Sequence, residues 1–280
     1  VERVLPNTEI HRRLIFCPKR RRSLNEYRIS IEQSDRKRQY MRLCFEDLLK
    51  LIEHTAAENR CFYEHISRGD SVEFYLDFEY VKNDRNSMVD VRAALFAVRS
   101  VFIEQMKTIS NRRDLSIDDM IVLQSSTPQK ESYHLIFNDR RIRFSSPHSL
   151  RQFVERTLHT LLIDALEHGC SRRQRPHEKQ IDCESDLTHT ILLFDSMRSD
   201  CLSCYDCRLE RFGINVSDVC HLFVYDKNDR LEPIVDLKVY GVEQDFRMFM
   251  CTKRGENRPL LQAALLKEEP QSDSNASNDW

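Results

Sequence analysis

Glycine is scarce in this chain: five occur in 280 residues, at positions 69, 169, 213, 241 and 255. Those positions admit neither a phosphate loop of the G-x-x-x-x-G-K-[ST] kind nor a G-x-G-x-x-G turn, so any nucleotide chemistry here has to rest on side chains and metals. Long apolar runs are missing too. The longest, such as Ile191 to Phe194, fall far below the roughly 20 residues a spanning helix needs, so no membrane partner is expected. An excess of one charge is also absent, because 43 basic residues face 45 acidic ones. Binding to nucleic acid would therefore have to be local rather than driven by the field of the whole molecule. The opening stretch Val1 to Arg13 mixes Glu, Arg and His and does not read as a secretory leader. Ten cysteines at scattered spacings then read as reduced intracellular thiols in a protein that is not secreted. A first residue of Val rather than Met suggests a fragment or a trimmed chain.

What is present is enough for a globular core, at 40% hydrophobic residues. His11 to Arg22 (HRRLIFCPKRRR) gathers Lys and Arg around a short apolar patch, which fits phosphate contact, a nuclear address or a solvated basic face. Phe45, Leu48, Leu49 and Ile52 recur at helical spacing and predict a packing helix over 45–58. Ser71 to Tyr80 (SVEFYLDFEY) alternates strictly and is the clearest strand. A helix is predicted from about Val89 to Ile109, its apolar face made of Leu95, Phe96, Val98, Phe102, Ile103 and Met106. Met120 to Gln124 and Ser132 to Phe137, separated by a Ser-Ser-Thr-Pro turn, predict a hairpin. Ser146-Pro147 opens a further helix that ends before Gly169. Residues 170–190 read as an exposed loop, and strands are predicted at Cys220 to Tyr225, Ile234 to Tyr240 and Phe246 to Met250. The residues from Lys267 onward read as a disordered tail.

Three clusters carry chemistry. In Asp77-Phe78-Glu79 two carboxylates project from one face of a strand, close enough to share a divalent cation. Without a cation they raise each other's pKa, so the pair is either an exposed charged face or a metal site. Ser132 and His134 share one face of the second hairpin strand, where a hydroxyl and an imidazole can donate to phosphate oxygens. No G-x-S-x-G turn accompanies them to suggest a nucleophile and base. Asp236, in Pro-Ile-Val-Asp-Leu-Lys-Val-Tyr, interrupts a β-forming run and needs a partner or a metal.

In this order, YLDFEY, SSTPQKESYHLIF and PIVDLKVYGVEQDFRMF resemble the three motifs of the eukaryotic primase-polymerase branch of the archaeo-eukaryotic primase superfamily, over about Arg38 to Arg258. The resemblance implies an α+β catalytic core, with two α/β modules around an RRM-like mixed sheet and the site in the cleft between them. On that division residues 1–37 are a basic N-terminal segment, 38–266 the core and 267–280 the tail. Carried over by position, Asp77, Glu79 and Asp236 resemble the acids that hold Mn2+ or Mg2+ and carry catalysis. Lys130, Ser132, His134 and Arg247 resemble the groups that hold the incoming dNTP or NTP, and Arg38 and Lys253 resemble basic residues near the DNA or nucleotide. Oxygen-only ligands agree with Mg2+ or Mn2+ rather than zinc, and a phosphoryl-transfer site needs mainly positioning and charge neutralisation. The implied partners are a primed or single-stranded DNA template and, through a region outside this chain, single-strand-binding proteins. The implied compartment is nucleus or mitochondrion, and the implied role is replication restart or damage tolerance.

The pattern departs from the family in two places. Glu243-Gln244-Asp245 stands where the family has Asn-Arg-Asn, and the family's C-terminal zinc-binding module is absent from these residues, so extension is expected before de novo priming. These departures keep open a catalytically weakened DNA-binding member, or an end-joining or viral-type primase-polymerase. Separately, Cys201-x-x-Cys204-x-x-Cys207 has a spacing that suits zinc or an iron-sulfur cluster, with Cys183, His189, Cys220 or His221 as a fourth ligand, or else free thiols in a loop. His159 and His168 read as surface or packing residues.

Overall fold

The structure, a computed structural model, describes residues 26–137, 139, 141–168 and 186–263. The basic segment His11 to Arg22, Cys183 and the tail from Lys267 lie outside the described residues. The architecture is α+β: two four-stranded sheets, each with its own apolar core, and helices packed mainly on the larger.

The smaller sheet contains β1 (Glu26–Glu32), β2 (Arg38–Cys44), β3 (Phe62–Ser67) and a late strand, in the order late strand–β3–β1–β2. Ile29 of β1 and Phe62 of β3 meet Leu48 and Ile52 of α1 (Phe45–His54) together with Met248 and Cys251. The core therefore begins ahead of residue 38, where the boundary was expected. The reason is the alternation in EYRISIE, which puts Tyr27, Ile29 and Ile31 on the side of this small core.

The larger sheet is built on β4 (Phe74–Val81), β5 (Met120–Gln124) and β6 (Lys130–Phe137). Strands β5 and β6 form the predicted hairpin, and β6 pairs in turn with β4. Against this sheet pack α2 (Val91–Ser110), α3 (Pro147–Glu167) and α4 (Leu187–Leu202). Helix α2 starts where Asp90 accepts from the backbone N–H groups of Arg92 and Ala93, and α3 where Ser146 caps Ser149 ahead of Pro147. Phe96, expected on the buried face of α2, is exposed instead. Ser146→Ala is expected to cost about 1 kcal/mol, read as a thermal midpoint lower by about 2–4 °C.

Helix α4 was not foreseen, since its first residues fall in a predicted loop; Ile191 and Phe194 anchor it in the larger core. After a helical turn α5 (Val216–Val219), a 3-10 turn Cys220–Leu222 occupies the start of the strand predicted over Cys220 to Tyr225. Two small antiparallel pairs complete this side: β7 (Arg208–Leu209) with β8 (Ile214–Asn215), and β9 (Phe223–Tyr225) with β10 (Leu231–Pro233). The late strand of the smaller sheet is β11 (Glu243–Arg247), and β12 (Leu261–Gln262) extends the larger sheet beside β5. Every strand pairing among the described residues is antiparallel, which corrects the expected mixed sheet.

The chain crosses from the larger sheet to the smaller one between residues 234 and 243. Val235 forms a bridge with Phe78, so this stretch lies along β4 as a short additional neighbour. A 3-10 turn, Leu237–Tyr240, then leads into β11. The expected strand over 234–240 is broken there because the Asp236 carboxylate accepts the Lys238 N–H at 2.9 Å and caps the turn, a local bond that competes with the sheet ladder. The corner is tied by two tyrosines: Tyr240 Oη donates to the Tyr75 carbonyl at 2.7 Å, and Tyr75 Oη to the Val239 carbonyl at 3.1 Å.

Candidate functional site: an acidic and basic cleft between the two sheets

The register of β4 and β6 decides the floor of the cleft. Asp77 lies opposite His134 and Glu79 opposite Ser132, so two carboxylates, an imidazole and a hydroxyl occupy one face of adjacent strands. The other face of β4 carries Phe74, Leu76 and Phe78, wholly buried. The segment lying along β4 supplies the third acid: the Asp236 N–H donates to the Asp77 carbonyl at 2.8 Å. Three acids separated by up to 159 positions in the sequence thus stand on neighbouring backbones.

The opposite wall comes from the smaller sheet. A cleft of about 370 Å³ is lined by the floor residues Asp77, Glu79, Ser132 and His134 and, from the facing side, by Arg38, Tyr63, Asp245, Phe246, Arg247 and Lys253. Phe246 stacks on His134 with ring centroids 4.1 Å apart, which joins the two walls. Lys130 and Asp236 do not line this cleft. Lys130 reaches it through Glu79, donating to its carboxylate at 2.5 Å, and borders an adjoining depression with Ser126, Thr127 and Arg258.

Charge in the cleft is poorly compensated. Burial above all, then Glu79 and Asp236, push the Asp77 carboxyl up to about 7 against the opposing pull of Lys130 and Lys253. Asp77 Oδ1 is buried and has no hydrogen-bond partner among the described residues. Burial, then Arg247 and Lys253, drive His134 well below the usual imidazole range, so it is neutral here, and its Nδ1 is likewise buried without a partner. Arg247, buried at 5% exposure, donates to Ser125 Oγ at 2.5 Å and is lowered by burial, with Arg258 adding to the shift and Tyr63, Asp77 and Glu256 opposing it. Lys253 is lowered by burial, then by Arg247 and Lys130.

An orphaned buried carboxylate oxygen flanked by two more acids fits a hard, oxygen-seeking divalent cation, which would return the charge balance that burial removes. Among the described residues no three His, Cys, Asp or Glu side chains are already drawn into a ligand set. Glu79 is turned to Lys130 and Asp236 caps the turn, so both would have to rotate to share a cation with Asp77. Of the cysteine cluster, Cys201 and Cys204 are wholly buried in the larger core and Cys207 is half-buried beside it. Cys204 donates to the Asp200 carbonyl at 3.3 Å.

Several cleft residues carried no signal in the sequence. Glu32 accepts from Tyr63 Oη at 2.8 Å, and the Arg38 guanidinium lies 3.6 Å from the Tyr63 ring centre. Ser125 holds Arg247, and Arg258 Nη1 donates to the Ser125 carbonyl at 2.9 Å. Glu32 and Tyr63 belong to β1 and β3, strands not predicted from the sequence, and nothing local tells which of their polar residues face another sheet.

No family model matches the chain. It is similar to a DNA-directed primase/polymerase protein of Danio rerio, 24% identical over 217 residues that make up 78% of this chain and 36% of that protein. It is also similar to a DNA-directed primase/polymerase protein of Gallus gallus, 26% identical over 229 residues, 77% of this chain and 39% of that protein. The chain thus spans well under half the length of the curated relatives it matches.

Proposed function

We propose that this chain is a nucleotidyltransferase core that adds nucleotides to a primer on a DNA template, with Asp77, Glu79 and Asp236 as the acids of its reaction centre. The observation that carries the reading is the buried, unpartnered Asp77 Oδ1, flanked by two further acids and by neutral His134 on the floor of the cleft and facing Arg247 and Lys253 across it. The names of the two similar proteins support the same reaction class.

Mn2+ or Mg2+ held by Asp77, Glu79 and Asp236 would neutralise charge on the transferring phosphoryl group and on the attacking and leaving oxygens. The side chains do the rest. Arg247, fixed by Ser125 and too buried to wander, offers a planar fork of donors to phosphate oxygens. His134 is neutral, held flat by Phe246, and presents one N–H without adding charge. Ser132 supplies a hydroxyl beside Glu79. When an anionic substrate enters, Lys130 exchanges Glu79 for phosphate, which frees Glu79 to join Asp77. The role in replication restart or damage tolerance, and the nuclear or mitochondrial setting, remain part of this proposal by resemblance.

The purified chain should extend a primed single-stranded template with deoxynucleotides when Mn2+ or Mg2+ is supplied, and not in the presence of a chelator. No incorporation with either cation and either nucleotide type would overturn the reading. A second reading, a DNA-binding member of the same superfamily with weakened catalysis, is favoured by the acids Glu243 and Asp245, of which Asp245 lines the cleft. It requires salt-dependent DNA binding without incorporation.

A further inference from the structure

The acids that depart from the family pattern are engaged rather than loose. Asp245 stands opposite His65 in the β11–β3 register, and His65 Nδ1 lies 3.0 Å from Asp245 Oδ1 while its Nε2 lies 2.9 Å from Glu243 Oε2. The Tyr40 ring meets His65 edge-on at 4.7 Å. The other Asp245 oxygen, Oδ2, lies 3.7 Å from Arg38 Nε, and Glu32 Oε2 lies 3.9 Å from Arg38 Nη2. With its face on the Tyr63 ring, the Arg38 guanidinium is held on two edges and one side. The third nitrogen, Nη1, is buried and has no partner among the described residues, and Arg38 lines the cleft.

We infer that Asp245 is a positioning residue: anchored by His65, it fixes the Arg38 guanidinium on Tyr63 so that Nη1 is left for a phosphate oxygen of a nucleoside triphosphate. The inference rests on the proposed nucleotidyl-transfer cleft and deepens it by giving the departing acid a task. Placed beside a triphosphate, an unengaged carboxylate would repel it. An acid already bonded to His65 and paired with Arg38 has its charge offset locally, and what it contributes is the orientation of a donor. Arg38 without Asp245 would keep, among the described residues, the Tyr63 ring beneath its face and only Glu32, at 3.9 Å, on its edges.

The test is a double-mutant cycle on the folded chain with Mn2+, reading the Kd of a non-hydrolysable deoxynucleoside triphosphate and the KM and kcat of primer extension. Asp245→Asn and Arg38→Ala are each expected to raise Kd and KM by about tenfold with a smaller change in kcat. The double variant should bind no more weakly than Arg38→Ala alone, because Asp245 acts through Arg38. Tighter or unchanged binding by Asp245→Asn overturns the inference, since repulsion would then be the residue's main effect. So does a tenfold loss that persists when Asp245→Asn is added to Arg38→Ala. If Asp245→Asn fails to fold, Asp245→Ser carries the same cycle. A wild-type chain that neither binds the triphosphate nor extends a primer overturns the cleft assignment itself, and the inference with it. A wild-type chain that does both, with a flat cycle, overturns only the role of Asp245.

Discussion

Asp77→Asn lowers the rate of templated primer extension by on the order of a thousandfold or more, while the triphosphate Kd measured without divalent cation changes little. The first part follows from where Asp77 sits. It is the one acid of the three whose carboxylate oxygen is both buried and unpartnered, so it is the acid most dependent on a cation for its own charge balance. Changing one oxygen to an amide removes the charge and a hard ligand with almost no change of shape, and charge stabilisation of this kind accounts for several kcal/mol in phosphoryl transfer. The second part follows because Arg247, on the opposite wall, is held by Ser125, and His134, on the floor, by the Phe246 ring, contacts that do not run through Asp77. Rapid-quench single-turnover assays separate the two. Extension within tenfold of wild type by a folded Asp77→Asn chain would remove Asp77 from the reaction centre.

The same substitution is expected to make the metal-free chain more stable at pH 8, and no more stable at pH 4. In the unfolded chain an aspartate titrates at about 3.9; in the folded chain burial, Glu79 and Asp236 push Asp77 up to about 7. The folded state therefore binds a proton that the unfolded state releases across this window, so stability falls as pH rises through it. Below about pH 4 both states are protonated and the penalty is absent; above about pH 7 it is complete. At about 1.4 kcal/mol per unit the ceiling is near 4 kcal/mol, but the side chain keeps 17% exposure and water relieves part of it. About 2 kcal/mol is a reasonable net, or a thermal midpoint some 4–8 °C higher for Asp77→Asn at pH 8. Comparing variant with wild type at each pH cancels the other titrating groups. Mn2+ should raise the wild-type midpoint at pH 8 and leave that of the variant nearly unmoved. A variant no more stable than wild type at pH 8 would mean the Asp77 carboxylate is compensated within the protein, and the electrostatic case for a cation there would go with it.

Together these expectations describe a site that costs stability for the sake of function. Arg112 and Asp139 show the contrasting case in the same molecule: they meet at 2.7 Å, and Arg141 and Arg112 hold Asp139 far below the usual carboxylate range. Structural ion pairs here are closed, whereas those of the cleft are left partly open.

The sequence by itself determined the elements whose signals are local. Alternation in SVEFYLDFEY, the Ser-Ser-Thr-Pro turn, and the Ser146-Pro147 start depend on a few adjacent residues, and the structure has a strand, a hairpin and a helix at each. It also determined that Asp77 and Glu79 share a face, since the period of a strand leaves no other choice. Only the tertiary structure decided which strands lie side by side and in what register, and so brought Asp236 beside Asp77, His134 onto Phe246, and Arg38 onto Tyr63. The turn at Asp236 and the helix Leu187–Leu202 were misread because their competitors are not local: the cap at Lys238 forms where the chain must leave one sheet for the other, and Ile191 and Phe194 are helical because a distant core takes them up. Short-range geometry is written in the spacing of residues, but contact between segments far apart in the chain depends on which buried surfaces fit, and no single stretch of residues contains that information.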